Sequence, residues 1–542
     1  MPVPYHIDDR VIRSTFALRQ KNFVTKNLLT TLLLVGVTST ALGATPSVDD
    51  AALRAARIDE RLQARQEQLG ITSAPLVDDA GYLRRVTLDL IGRVPTVAET
   101  RDYLADPSPD KSRRLVGRLL ASPLFARHWA TIWRRAWIPQ ADTPQFTFLA
   151  DDADYWLAAR IREHVPHDII VRQLLQVSST QKPKTPSGRA TPRVFLVAGE
   201  FKPENLAANS ARAFLGVNLE CAQCHDHPFA RWTRDEFWQT AAFFTAPTPD
   251  GGEPTTLKIK IPETERSVAA RYLVDRPVPW PKQITVDTGR QVLAEWITAR
   301  DNPFFARHAV NTAWAQLFGA GLVEPLDDLA RDDPMGDPEF LQQLAEETLA
   351  ADFDLTRFIE ACVLTDAYRR ATSGLTNRSG RTTTLVEERF AFAQMPIRAL
   401  SGEQLFDSLR TAAGFAPPRD DLARHESGAD RRAFAGKFRI DRAESAQRSV
   451  LQSLSLMNGE VTSAAVNARN GPLVVAVAEG PFDSLEQRAE TLFLAALNRL
   501  PEASELAIVT KHLQIDGPEG LHLRTADIFW ALLNTAEFST NH

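Results

Sequence analysis

The stretch Asn205-Leu-Ala-Ala-Asn-Ser-Ala-Arg-Ala-Phe-Leu-Gly-Val-Asn-Leu-Glu-Cys-Ala-Gln-Cys-His-Asp-His-Pro-Phe229 decides how this chain is read. Its first part, Asn205 to Glu220, predicts a helix that delivers the chain directly into Cys221-Ala222-Gln223-Cys224-His225. Two of the three cysteines and two of the eleven histidines fall within Cys221 to Phe229, so the chemistry of the chain concentrates here. Cys-x-x-Cys-His is the spacing at which two thiols add to the vinyl groups of a haem while the adjacent imidazole reaches the iron. On that reading Cys221 and Cys224 form thioethers and His225 is the proximal ligand, its other ring nitrogen held by a neighbouring acceptor. A Cys-x-x-Cys pair can equally close a small disulfide in an oxidising compartment. It can also bind zinc with His225 or His227 and one remote ligand, or act as a redox pair. Residues i and i+2 of a helix point about 200° apart, so Asp226 and His227 are expected to hydrogen-bond around the site or ligate a different metal.

Outward from the motif the pattern is helical. Ser47 to Leu69 predicts a helix with Leu53, Ile58, Leu62 and Leu69 on one side and Gly70 as its stop; Tyr82 to Ile91 and Ser112 to Leu120 are further amphipathic segments. Trp129, Trp133 and Trp137 recur at i, i+4 and i+8, a stripe that reads as core and could instead line a haem or stack on a sugar. His164 and His167, near Pro166, read as solvated turn residues, and Gln181 to Pro192 as an exposed loop. On the far side of the motif, Thr233 to Phe244 offers an apolar wall of Phe237, Trp238, Ala241 and Phe244. Pro247 to Pro254 then marks a boundary, after which Leu257 to Ile261 and Ile284 to Val286 are expected to pair in a small antiparallel sheet. From about Gly289 helices return: Asp337-Pro338-Glu339 is a helix start, Cys362 shares an apolar face with Phe358, Ile359 and Val363, and Leu485 to Ala496 carries a stripe stopped by Pro501. The fold class expected is mostly α, two helical domains with a small antiparallel β insertion between them. The domain reading is 45–248 around the motif, 249–288 as a β-containing linker and 289–542 as a C-terminal helical domain.

Residues 1–44 differ from the rest. Arg10, Arg13, Arg19, Lys21 and Lys26 outweigh Asp8 and Asp9, an apolar run follows from Leu28 to Val37, and small residues lead to Ala44. That order is the order of a secretory signal peptide, cleaved near Ala44 or kept as an anchor, and it predicts an extracytoplasmic, periplasmic location. Any membrane contact is expected through this segment alone. Export favours thioether attachment over a free cytosolic dithiol, and three cysteines are too few for a disulfide framework. The composition of the whole chain, 44% hydrophobic and 24% charged with a net charge of −6, is that of an ordinary globular protein and argues against a nucleic-acid partner.

Several phrases resemble the planctomycete cytochrome-C-like proteins, in which two domains of unknown function occur in tandem. The first is matched by Leu88-Asp89-Leu90-Ile91-Gly92-Arg93-Val94-Pro95, by Leu104 to Asp110, and by Phe214-Leu215-Gly216 leading into Cys221 to His227. The second is matched by Leu293 to Ile297, Asp301-Asn302-Pro303-Phe304, Val310 to Val323 and Trp530 to Asn534. The resemblance spans nearly all of the chain after residue 44 and implies an exported, mostly helical protein with Cys221, Cys224 and His225 as haem-binding residues. Pro228 stands where lysine is common and Thr312 where arginine is common, and no separate cytochrome module stands ahead of the pair.

The leading expectation is electron transfer or another haem-dependent redox process with a redox partner protein. Met335, Met395, Met457 and several histidines are candidate sixth ligands. A structural or interaction protein pinned by zinc or a disulfide is the second reading. An exported hydrolase using Asp327, Asp328, Asp332 and Asp333 is the third, against which the acidic cluster reads as a solvated loop.

Overall fold

In the computed structural model the described residues are 49–178, 192–247, 256–285, 287–331, 334–377, 385–415, 424–438, 450–514 and 518–542. The expected signal segment, most of the Gln181 to Pro192 loop, Val286, Asp332 and Asp333 lie outside them.

Short-range signals start and stop the helices. α1 spans Asp49–Leu69, and Gly70 follows with φ 68°. Its inner side carries Ile58 and Leu62, whereas Leu53 is exposed. α2 is Asp79–Ile91, begun by Asp78 and closed by Gly92 in the left-handed region. α3 (Val97–Ala105) starts on a reciprocal Thr96/Glu99 cap, α4 is Lys111–Leu120, and α5 (Pro123–Trp137) has Ser122 at its cap and proline at the first position. α6 (Phe148–Arg162), α7 (His167–Gln176), α8 (Val194–Ala198) and α9 (Pro203–Ser210) follow, and α10 is Arg234–Ala241. Beyond a β hairpin of Lys258–Lys260 and Ser267–Ala269 come α11 (Thr288–Ile297), α12 (Phe305–Phe318), α13 (Pro338–Ala350) and α14 (Leu355–Leu364). Asp337 accepts from the Phe340 amide at 3.0 Å and Pro338 opens α13. Phe358, Ile359, Cys362 and Val363 are buried on α14. The last part is again helical, with α15 (Leu385–Arg389), α16 (Gly402–Ala412), α17 (Arg424–Lys437) and six shorter or longer helices from Val450 to Leu533.

The fold is mostly α, and its sheets are small antiparallel pairs. Lys258–Lys260 pairs with Ser267–Ala269. The partner expected from the sequence, Ile284 to Val286, is not the one used. A hairpin closing through Ile261 to Arg266, with Glu263 at φ 61°, orders far fewer residues than a pairing across more than twenty positions.

Apolar side chains gather in two main clusters. One runs from Ile58 to Met395; the other takes Leu88 and Val94 and then Leu400 to Phe538. Helix α2 serves both, since Leu83, Val86 and Leu90 face the first and Leu88 the second. A helix enclosed on all sides must pair any charge it carries. Arg84 donates to the Asn498 side chain at 2.7 Å and to the carbonyls of Glu537 and Phe538 at 2.9 and 2.8 Å. Asp89 accepts from the Tyr368 hydroxyl at 2.6 Å, Arg398 Nη2 at 2.7 Å and Asn541 Nδ2 at 2.9 Å. Strand Thr540–Asn541 pairs with Arg398–Ala399, so the same carboxylate holds the end of the chain.

Candidate functional site

The segment carrying the cysteines begins where α9 stops being regular. Ala211–Leu215 is a wide, π-type turn, and Gly216 takes φ 60°, its N–H bonded to Ala211 O. The continuous helix expected up to Glu220 therefore ends at Gly216. The cause is tertiary: a Cβ there would lie 2.6 Å from His308 Nδ1, and the Gly216 carbonyl accepts from the Leu329 amide at 2.8 Å. Phe214 in this turn packs 5.6 Å from Trp137, which ties the segment to α5.

Asn218 Oδ1 accepts from the Glu220 amide at 3.1 Å and opens a single 3-10 turn, Glu220–Gln223. Ala222 is fully buried under that turn while Cys221 and Cys224 stay exposed on it, both as free thiols. Trp238 of α10 donates its indole N–H to the Gln223 carbonyl at 3.1 Å, and buried Trp232 fastens the other end, its carbonyl accepting from the His227 amide at 2.7 Å. The apolar wall expected from Thr233 to Phe244 thus sits against the site, with Phe237 and Trp238 buried.

His225 Nδ1 lies 2.8 Å from the carbonyl oxygen of Asp226. A carbonyl only accepts, so Nδ1 carries the hydrogen and Nε2 of the neutral ring keeps its lone pair. The ring is exposed, which leaves that nitrogen accessible. Asp226 Oδ1 accepts from the Arg234 amide at 2.8 Å, at the positive start of α10. His227 Nδ1 accepts from the Phe229 amide at 3.2 Å. In that state the hydrogen of His227 is on Nε2, and it cannot also offer that nitrogen to a metal. Residues 225–227 are not helical, so the side-chain spread argued from helix geometry does not apply; the hydrogen bonds are what occupy Asp226 and His227.

A second loop packs beside this one. Asp328 is buried with Oδ1 unpartnered, and desolvation raises its pKa against the opposing influence of His227. Asp327 is exposed. Arg212, lowered by burial and faced by Glu220 and Asp327, donates to the Ala136 carbonyl at 3.2 Å. Among the candidate sixth ligands Met335 is exposed and Met395 is buried in the first cluster. Among the described residues no group of three His, Cys, Asp or Glu side chains converges in a way that could hold a metal ion.

Two family models match the chain. PSCyt2, described as a protein of unknown function (DUF1549), matches residues 57–248, and PSD1, likewise of unknown function (DUF1553), matches residues 289–425. The two matches lie in tandem along the chain. No curated protein and no solved structure matches it. The Cys-x-x-Cys-His loop lies within the PSCyt2 match, as do α2 and its buried charges. Arg398 lies within the PSD1 match, so the Asp89–Arg398 pair joins the two matched regions.

Of the other residues singled out in the sequence, one departs from its reading. His167 is not a solvated turn residue: it opens α7, is 6% exposed, and packs 4.7 and 5.2 Å from Trp133 and Trp137. His164 is exposed, with φ 52°. The three indoles are core, Trp133 stacking on Trp137 at 5.3 Å, and they also wall a cavity.

Proposed function

We propose that the PSCyt2 loop is a c-type haem attachment site on an exported electron-transfer protein, with Cys221 and Cys224 as the thioether positions and His225 as the proximal ligand. The observation that carries this reading is the His225 Nδ1 to Asp226 O hydrogen bond, beside two free, exposed thiols. An axial histidine needs its non-ligating nitrogen fixed by an acceptor, which sets the tautomer and the ring plane. The main chain of the next residue supplies that acceptor here; the Arg234 amide holds the Asp226 carboxylate, and the Trp238 indole holds the Gln223 carbonyl.

A bound haem supplies a one-electron couple. The residues around it govern access and approach. Both thiols are exposed and so open to an attachment machinery. Phe229, 73% exposed, and Arg231, with its guanidinium 4.6 Å from the Trp232 ring, sit on the same loop and offer an apolar and cationic patch to a redox partner protein. The charge order of residues 1–44 supports passage to the periplasm, where such attachment takes place.

The test is the visible spectrum of protein exported by a host with c-type maturation machinery. Wild type is expected to show covalent haem absorption that persists in denaturant, and His225→Ala to keep the covalent haem but lose the axial imidazole signature. A colourless wild type, with zinc bound or a disulfide between Cys221 and Cys224, overturns the proposal and favours a structural pin.

A further inference from the structure

A cavity of about 260 Å³ opens between α5, the turn joining α6 to α7, and the turn joining α13 to α14. Trp129, Trp133 and Trp137 form one wall, and Leu157, Ile170 and Ile359 extend the apolar lining. A cavity of roughly 150 Å³ accepts benzene, so this one has room for a fused pair of rings.

One polar group among the aromatic walls stands out. His167 lines the cavity, is more than nine-tenths buried, and has no hydrogen-bond partner for its ring nitrogens among the described residues. Phe305, 5.7 Å away, and the two indoles fill the space around the rest of its ring. Burial lowers its pKa to about 3, with His308 adding to the effect, so the imidazole is neutral at pH 7 and can both donate and accept. The charges at the mouth are already paired. Asp352 meets Arg300 at 3.1 Å; Asp354 caps α14 through the Thr356 amide at 3.0 Å and meets Arg357 at 3.2 Å. The carboxylates of this rim are thus committed to neighbouring arginines, and the imidazole set among the aromatic walls selects for a matching polar atom.

We propose that the cavity binds an uncharged, planar ligand of one or two fused rings bearing a hydroxyl or carbonyl oxygen, with that oxygen on His167. The site is separate from the cysteine loop and does not depend on whether haem is attached there.

Calorimetric titration of the full-length protein with 2-naphthol and with naphthalene tests this. The expected result is one 2-naphthol per chain, with naphthalene about tenfold weaker, the loss of one hydrogen bond. His167→Phe, close in shape, should bring 2-naphthol down to the affinity of naphthalene. Ile161→Trp, at a half-buried lining position, should remove binding of both by filling the space. Absence of saturable 2-naphthol binding, equal affinity of the two probes for wild type, or unchanged binding to Ile161→Trp would each overturn the proposal. If His167→Phe does not fold, Ile161→Trp and the probe comparison still decide.

Discussion

Replacing Asp89 by asparagine keeps the shape of the side chain and removes its charge. Asp89 is 1% exposed, and its neighbour Arg398 is buried too, so the substitution leaves a guanidinium without its counter-ion. Breaking a buried pair from one side costs about 3–5 kcal/mol. The lower end applies here for two reasons. The asparagine oxygen can still accept from Tyr368 and Arg398 where Oδ2 does now, and Asn541, whose own Oδ1 is unpartnered, can turn its amide to meet the new N–H donor. A loss of about 3 kcal/mol is a hundredfold shift in the unfolding equilibrium. Guanidinium unfolding followed by tryptophan emission should place the midpoint lower with an unchanged slope. Arg398→Met completes a double-mutant cycle. Because removing both charges together leaves neither exposed to an apolar interior, the double variant should be more stable than the sum of the single losses by about 1 kcal/mol or more. An Asp89→Asn protein within about 1 kcal/mol of wild type, or strictly additive effects, would refute the view that this pair clamps the chain terminus across α2.

Three other outcomes are expected. His128, His167 and His308 are held neutral by burial, their pKa values lowered from 6.5 to about 3, 3 and 4. A depressed folded value means that the unfolded chain binds more protons below pH 6.5, so their contribution is complete above that pH and is lost as pH falls to about 4 for His308 and about 3 for His128 and His167; at pH 5 each removes about 2 kcal/mol, read as a lower unfolding midpoint than at pH 7. Gly216→Ala should lower stability by about 2 kcal/mol or more, since the new methyl combines left-handed strain with a 2.6 Å approach to His308, and calorimetric unfolding measures it. In the haem-free protein, Cys221 and Cys224 should react with a thiol reagent under native conditions and Cys362 only after unfolding, because Cys362 is fully buried with its pKa raised by desolvation.

The parts of the fold that were legible in the sequence are those fixed by neighbours in the chain. The Asp337-Pro338 start of α13, the apolar face around Cys362 and the stripe from Ala489 to Ala496 all depend on helix periodicity and capping, and all are found as read. What stayed hidden depends on residues far apart. Gly216 alone does not say that a helix ends there; His308, more than ninety positions on, makes the left-handed turn necessary. His167 beside a proline looks like surface until the indoles of α5 are packed on it. Helix α2 reads as amphipathic, yet the fold buries it on every side, so Arg84, Arg85 and Asp89 had to find buried partners far along the chain. At the cysteine loop the order of residues pointed to the chemistry, while the hydrogen bond that orients His225 uses a main-chain carbonyl, which no side-chain pattern encodes.

The central claim is tested most directly by intact mass of the mature exported protein, compared with Cys221→Ser/Cys224→Ser. Haem attachment predicts a wild-type mass above that of the chain by one haem, and none on the double variant. A wild-type mass equal to the unmodified chain, or lower by two hydrogens, would contradict it.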